Sequence, residues 1–213
     1  MTAYNLNEIE LALINDLRHH ITDPLSRGSS TTDLFNGNNT TKIFTLSQTA
    51  ISVEPTVNGV IMKYGTEYTI NSGGTDITFS TAPSTGTNNV SIALKYGITW
   101  VYPDFNKTNI TITDFPRISI SAISTNTQPN AIGGANFKTS LIISATIAGK
   151  TRQQINSLIN LVRERLLNNA KSFGLFTIIE PSAESALSDS ALHQRIMQRT
   201  IDFFIPYKFE VVA

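Results

Sequence analysis

The run from Phe137 to Leu167 constrains this chain more than any other, because the period of its apolar residues changes once, at a sharply marked place. From Phe137 the apolar set Leu141, Ile143, Ala145 and Ile147 alternates with Lys138, Ser140, Ser144 and Thr146, which is the pattern of a strand with one buried face. Ile142 alone breaks the alternation. At Thr151 the period becomes that of a helix, with Ile155, Leu158, Ile159, Val162 and Leu166 on one stripe. Thr151 and Gln154 have capping-box spacing, which marks the helix start. The segment predicts a scaffold and supplies no chemistry.

The elements around it follow from the same reading. Leu6, Ile9, Leu13, Leu17 and Ile21 recur at helical spacing, so a helix is expected from about Leu6 to Leu25, with Asn5 and Glu8 at its start and Pro24 and Gly28 beyond its end. Residues 26–40, rich in Ser, Thr, Asn and Gly, read as a linker. From Lys42 to Gly97 there is no helical period. Asn58-Gly59 between Val57 and Val60 predicts a tight hairpin turn. Further strands are expected at Glu67–Asn71, Asp76–Ser80 and Asn89–Tyr96, making a small antiparallel β domain of about five strands. After Trp100 come a strand around Arg117–Ile123, a polar loop from Ser124 to Asn136, the strand and helix already described, and a short strand at Leu175–Ile179. Ser182–Ser190 reads as a loop, with a helical turn possible within Ala186–Met197. The last strand is clear, since Ile201, Phe203, Ile205, Tyr207, Phe209 and Val211 alternate with Thr200, Asp202, Lys208 and Glu210. Pro206 has no amide donor, which predicts a sheet edge or a bulge there.

Composition narrows the classes. Hydrophobic residues make up 40% of the 213, enough for a core and against disorder. Charged residues are only 15%, so the surface is largely neutral and polar. With 16 basic and 16 acidic residues the chain has no overall electrostatic footprint for nucleic acid or anionic membrane. Neutral surfaces tend to associate, which suits a subunit of an assembly. No cysteine is present, which excludes disulfides and thiolate chemistry. No signal peptide and no membrane span is read, and the expectation is a soluble protein made in a cytoplasm.

Each candidate for chemistry has a plainer reading. His19 and His20 are adjacent on a helix and are expected on different faces, where a helical metal pair needs a spacing of three or four; near a helix C-terminus they complement its dipole. His193 stands alone, and no Gly-x-Ser-x-Gly turn exposes a serine nucleophile. Gly149-Lys150-Thr151 looks like the end of a phosphate-binding loop, but the glycine that motif needs five positions upstream is Ser144. Gly133 and Gly134 read as turn residues. The sequons at Asn39, Asn106 and Asn109 are expected by chance in an Asn- and Thr-rich chain. Arg152, Arg163, Arg165 and Lys171 form the most basic feature, which reads as a solvated helix face. No metal, cofactor or catalytic residue is expected.

One resemblance organises these elements. Phe115-Pro116-Arg117-Ile118 opening a strand, Phe137–Ile147 forming the next, Gly149-Lys150-Thr151-Arg152-Gln153-Gln154 opening a helix and a closing strand over Arg199–Val211 together resemble the tail terminator (tail-to-head joining) proteins of long-tailed, siphovirus- or myovirus-like viruses. The resemblance implies an α+β fold in which a small antiparallel or mixed sheet packs with two main helices, over residues 1–32 and 98–213. Residues 33–97 then read as an inserted all-β domain, similar to small β modules of viral structural proteins with Val57-Asn58-Gly59, Tyr68-Thr69-Ile70 and Ile77-Thr78-Phe79 strands. It further implies a non-enzymatic homohexameric ring at the neck of a virion, assembled in the host cytoplasm. Such a ring caps the tail tube protein, binds a head-completion or connector protein and meets DNA only as it passes through the lumen; no membrane is involved. Asn130, Gly133, Gly134, Phe137, Arg152, Arg163 and Pro206 are the candidate interface residues. The alternatives are another neck or tail-completion protein, or a host-binding β module anchored on a virion scaffold.

Overall fold

The computed structural model of the chain describes residues 6–103, 114–129, 136–168, 180–185, 188–189 and 196–210, with the backbone alone for 6–8, 122–129, 136–140, 180–182, 188–189 and 206–210. The protein is α+β, and among the described residues it has two helices and three sheets. It divides into two units. One comprises the described chain up to Ile14 and from Trp100 onward; the other is Asn15–Thr99. The division falls inside the first helix, α1 (Leu6–His20).

The larger unit is built on the two long alternating runs. β10 (Asn136–Gly149) pairs with β13 (Met197–Glu210) along its whole length, from Asn136 opposite Glu210 to Gly149 opposite Met197. β9 (Arg117–Pro129) lies on the other side of β10, also antiparallel. β8 (Val101–Tyr102) runs parallel to β9, while β11 (Glu180–Glu184) and β12 (Ser188–Asp189) pair with β13. The sheet order is β11-β13-β10-β9-β8. The period-two reading is borne out where side chains are described: Leu141, Ile143, Ala145, Ile147, Ile201, Phe203 and Ile205 are buried. The break at Ile142 also has a physical counterpart. The β9–β10 register shifts between Ile142 and Ile143, a bulge that leaves Ile123 without an opposite residue.

α2 (Arg152–Asn168) lies against β10, β13 and β11. Its buried residues are Ile155, Leu158, Ile159, Val162 and Leu166, the stripe expected from the sequence. The capping bond is formed, with Thr151 Oγ1 accepting the Gln154 N–H at 3.2 Å, while the Gln154 side chain reaches one residue past the N-cap and its Oε1 accepts the Lys150 N–H at 3.2 Å. This explains the phosphate-loop lookalike, since these side chains occupy the amides that a phosphate would need.

In the second unit two sheets share one core. β1 (Gly28–Gly37), β7 (Gly86–Gly97), β3 (Ala50–Val57) and β4 (Val60–Ile61) form one sheet in that order. β2 (Ile43–Thr45), β6 (Asp76–Phe79) and β5 (Tyr68–Ile70) form the other. Val53, Val90, Ile92 and Leu94 from the first meet Phe44, Tyr68, Ile77 and Phe79 from the second. The predicted hairpin is present. Val57 pairs with Val60, and Asn58 and Gly59 take φ of 51° and 78°, values that favour asparagine and glycine.

Several expectations need correction. Residues 26–40 are not a linker, because Gly28–Gly37 pairs antiparallel with β7; Thr31, Thr32 and Phe35 suit a strand, and Phe35 packs on the core. α1 ends at His20, not Leu25; Asp23 accepts the backbone N–H groups of Leu25 and Arg27 and folds the chain into a turn. The polar loop expected from Ser124 is strand as far as Pro129, and β10 begins at Asn136, because pairing with β10 outweighs the polar side chains. Ser182–Ser190 takes in the end of β11 and all of β12, edge pieces laid on β13; Met197 opens β13, and most of the Ala186–Met197 span in which a helical turn is read lies outside the described residues. At Pro206 the register with β10 is unbroken, opposite Ser140, so no bulge is present there; on the other side of β13 the pairing with β11 stops at Phe204, and among the described residues Pro206 lies on the open edge that the sequence predicts. The strand expected at Leu175–Ile179 lies outside the described residues.

Candidate functional site

Polar side chains gather in three places and in a row on the sheet face away from α2, and each can be built from the elements that carry it. The first is on the α2 side of the larger unit. Arg163 on α2 reaches the carboxylate of Glu184 on β11 and Asn160 one turn back. Arg199 on β13 meets the same carboxylate at 2.8 Å, and it donates to Asn156 Oδ1 at 3.1 Å and to the Ser185 carbonyl at 3.0 Å. Glu184 is thus shared by two guanidiniums from two elements, and Arg199 ties β13 to the exposed side of α2. Arg163 and Glu184 remain about one third exposed, at 34% and 29%, so the pair is screened and contributes little.

The opposite face of the same sheet carries hydroxyls. Ser144 bonds to Asp202 directly across the β10–β13 pair, and Thr146 meets Thr200 at 2.9 Å in the next row. Ser119, buried like Ser144, stands opposite Thr146 from β9. Arg117 on β9 is also buried, and its guanidinium stacks over the Tyr102 ring at 4.0 Å.

The second place is the C-terminal half of α1 within the β unit. The Asn15 carboxamide imitates a strand residue: its Nδ2 donates to the Val53 carbonyl at 2.9 Å, and its Oδ1 accepts the Val53 N–H at 3.0 Å. It therefore satisfies both backbone groups of β3 where β4 is too short to reach. Arg18 Nη1 donates to the Ile51 carbonyl at 3.0 Å. The Tyr68 hydroxyl donates to the Val53 carbonyl at 3.1 Å and accepts from Asn15 Nδ2 at 3.2 Å. Burial pushes its pKa well up, and the negative groups Glu54 and Asp16 push the same way, so it stays a neutral donor.

The histidines depart from expectation here. His19 and His20 were expected on different faces, yet both imidazoles approach Glu54 on β3, His20 Nε2 at 2.8 Å and His19 Nε2 at 3.9 Å, with their rings 5.1 Å apart. Asp16 lies 3.5 Å from His20 Nε2. Adjacent helical positions can share a partner because the helix ends at His20, next to the strand. Among the described residues no group of three or more His, Cys, Asp or Glu side chains is arranged to hold a metal ion. Elsewhere in this unit, burial lowers the pKa of Lys95.

The third place is a cluster of amides at one end of the β unit. Asn89 sits at its centre: its Oδ1 accepts the Gly37 N–H at 2.8 Å, while its Nδ2 donates to the Ser84 carbonyl at 2.8 Å and to Asn58 Oδ1 at 3.2 Å. Asn58 Nδ2 donates to Ser84 Oγ at 2.9 Å, and Asn39 Nδ2 to Thr85 Oγ1 at 3.0 Å. These bonds tie β1, the β3–β4 turn and the start of β7 together.

Of the candidate interface residues, Asn130, Gly133 and Gly134 lie outside the described residues. Phe137 and Pro206 are placed as backbone positions of β10 and β13, near opposite ends of the Asn136–Ser140 and Pro206–Glu210 pairing. Arg152 is exposed in the first turn of α2, and Arg163 is engaged with Glu184. Of this set only Arg152 and Arg163 have described side chains. Sequence reading missed Asn15, Glu54, Asn89, Glu184 and Arg199. A polar Asn15 directly after the apolar run Leu11-Ala12-Leu13-Ile14 was the one local signal available. No protein-family model matches the chain, and no curated protein matches it.

Proposed function

We propose that the chain is a structural virion protein, a tail terminator that assembles as a homohexameric ring, caps the tail tube and joins it to the head connector. The observation that supports this reading is the packing of α2 across β10 and β13 directly after a capped strand-to-helix turn, which is the element order on which the resemblance rests. Zero net charge suits a ring that lets DNA pass without gripping it. A closed ring uses two different complementary patches on each subunit. Its partners are a tail tube protein and a head-completion protein, and its place is the neck of the virion. A neighbouring neck or tail-completion protein on the same scaffold is the nearest variant of this reading.

The test is native mass combined with negative-stain imaging of the purified chain. Rings of six-fold symmetry that bind tube ends are expected, and a monomer that stays monomeric in the presence of tail tubes overturns the proposal. The second reading, a host-binding β module, draws on the separate core of the β unit and on Val60 and Ile61, exposed beside the hairpin turn. Binding of the chain to host glycan or cells, lost on replacing Val60 and Ile61 by serine, would favour that reading over the ring.

A further inference from the structure

Asn-Gly occurs twice in the chain, at Asn36-Gly37 and at Asn58-Gly59, and the fold treats the two pairs in opposite ways. An asparagine before glycine can react with its own backbone. The glycine nitrogen loses its proton and attacks the side-chain carbonyl carbon, a C–N bond forms, and the amide nitrogen leaves as ammonia. Water then opens the cyclic imide at either carbonyl, leaving aspartate or isoaspartate. The reaction needs a glycine nitrogen able to approach the carbonyl, and the missing Cβ of glycine is what permits it.

At the end of β1 that approach is blocked. Gly37 is buried, its N–H donates to Asn89 Oδ1 at 2.8 Å, and a Cβ built on it would lie 2.0 Å from the Ser84 carbonyl oxygen. The nitrogen is held in a hydrogen bond and the space around it is filled. Asn36 Oδ1 accepts the Asn88 N–H at 2.7 Å, so a donor sits on the side-chain carbonyl at both asparagines, and what separates them is the glycine nitrogen.

The hairpin turn is arranged differently. Asn58 and Gly59 are exposed, and a Cβ on Gly59 would meet nothing within 4 Å. Among the described residues no hydrogen bond engages the Gly59 N–H. Asn89 Nδ2 donates to Asn58 Oδ1 at 3.2 Å, so a donor already sits on the oxygen that takes up negative charge during attack. Ser84 Oγ, 2.9 Å from Asn58 Nδ2, sits beside the nitrogen that departs.

We propose that Asn58 is a site of spontaneous deamidation in the folded protein and that Asn36 is protected from it. Conversion places a negative charge on the tip of the β3–β4 hairpin in a chain of zero net charge, and isoaspartate also lengthens the backbone of the turn. The test incubates the full-length chain in mildly alkaline buffer, folded and in denaturant, and follows both asparagines by peptide mapping with mass spectrometry. In denaturant the two convert at comparable rates. In the folded chain the Asn58 peptide gains the mass of amide-to-acid conversion while the Asn36 peptide stays unchanged. Conversion of Asn36 alongside Asn58 in the folded chain overturns the proposal, as does an intact Asn58 once the denatured sample has converted at both.

Discussion

In the unit that carries α2, a helix covers one face of a six-stranded sheet, whereas in the β unit a four-stranded and a three-stranded sheet cover each other. The side chains differ accordingly. The helix-covered core is mostly aliphatic, with Ile155, Leu158, Ile159 and Val162 laid on Leu141, Ile143 and Ile147 and Phe203 as the large exception. The sheet-on-sheet core is tied by rings: Phe44 touches Phe35 at 5.1 Å and Phe79 at 5.7 Å between centroids. A long helix offers a continuous apolar stripe, so branched aliphatic residues fill the gap. Strands as short as β2 and β5, three residues each, offer few positions, so each has to carry more volume. Polar groups differ too. In the helix-covered unit they form an exposed ion-pair network, while in the β unit they finish backbone edges that the short strands leave open.

The largest effect should come from Phe203, a buried ring in the mostly aliphatic core. Phe203→Ala leaves a cavity beneath α2 and is expected to cost about 3–5 kcal/mol in denaturant unfolding. A cost near that of an exposed substitution would show that the helix-covered core does not depend on it. Asn15→Leu tests the claim about edges. Val53 loses the acceptor of its N–H and one of the two donors to its carbonyl, the Tyr68 hydroxyl remaining, and about 1–3 kcal/mol of destabilisation is expected. A neutral result would mean that water or a shifted β4 serves β3 equally well.

Asp23 sharpens the comparison through pH. Burial pushes its carboxyl up, but bonds from the Arg27 side chain and from the Leu25 and Arg27 N–H groups, together with the Arg27 charge, outweigh burial and hold it below its ordinary 3.8. With a lowered native value, its contribution is fully present above 3.8 and is lost as pH falls through the native value beneath. Asp23→Asn should therefore cost about 1.5 kcal/mol at neutral pH, with the gap to wild type closing in acid; a gap that persists in strong acid refutes this.

Thr151→Ala removes the capping bond and should cost about 1 kcal/mol, readable as a lower melting temperature, with Thr151→Ser restoring it. Arg163→Ala is expected at the bottom of the series, under about 1 kcal/mol and shrinking with added salt. A larger, salt-insensitive loss would move the Arg163–Glu184–Arg199 network from the surface into the structural core of the unit.

Local periodicity and turn chemistry made much of the fold legible. The α2 stripe, its N-cap, the buried face of β10 and the Asn58-Gly59 turn are all properties of neighbouring residues, and all were read before any pairing was known. The strand nature of Gly28–Gly37 and of Ser124–Pro129 was not legible, because Ser, Thr, Asn and Gly there match a loop as well as an exposed strand; pairing with β7 and β10 decides it. The polar sites were harder still. Glu54 with His20, Asn15 with Val53, Glu184 with Arg199 and Asn89 with Gly37 join residues far apart in the chain, and nothing in one partner's surroundings names the other.

By itself the sequence determined a cysteine-free, neutral α+β chain, with strands and helices set by apolar period and punctuated by Asn, Gly and Pro. Only the tertiary structure decided strand order, the division inside α1, the convergence of both histidines on Glu54 and the different exposure of the two Asn-Gly pairs. The physical reason is range. Periodicity and turn preference arise from sterics and burial within a few residues, whereas register and hydrogen-bond partnership are settled by which distant backbone edges and side chains meet once the cores have closed.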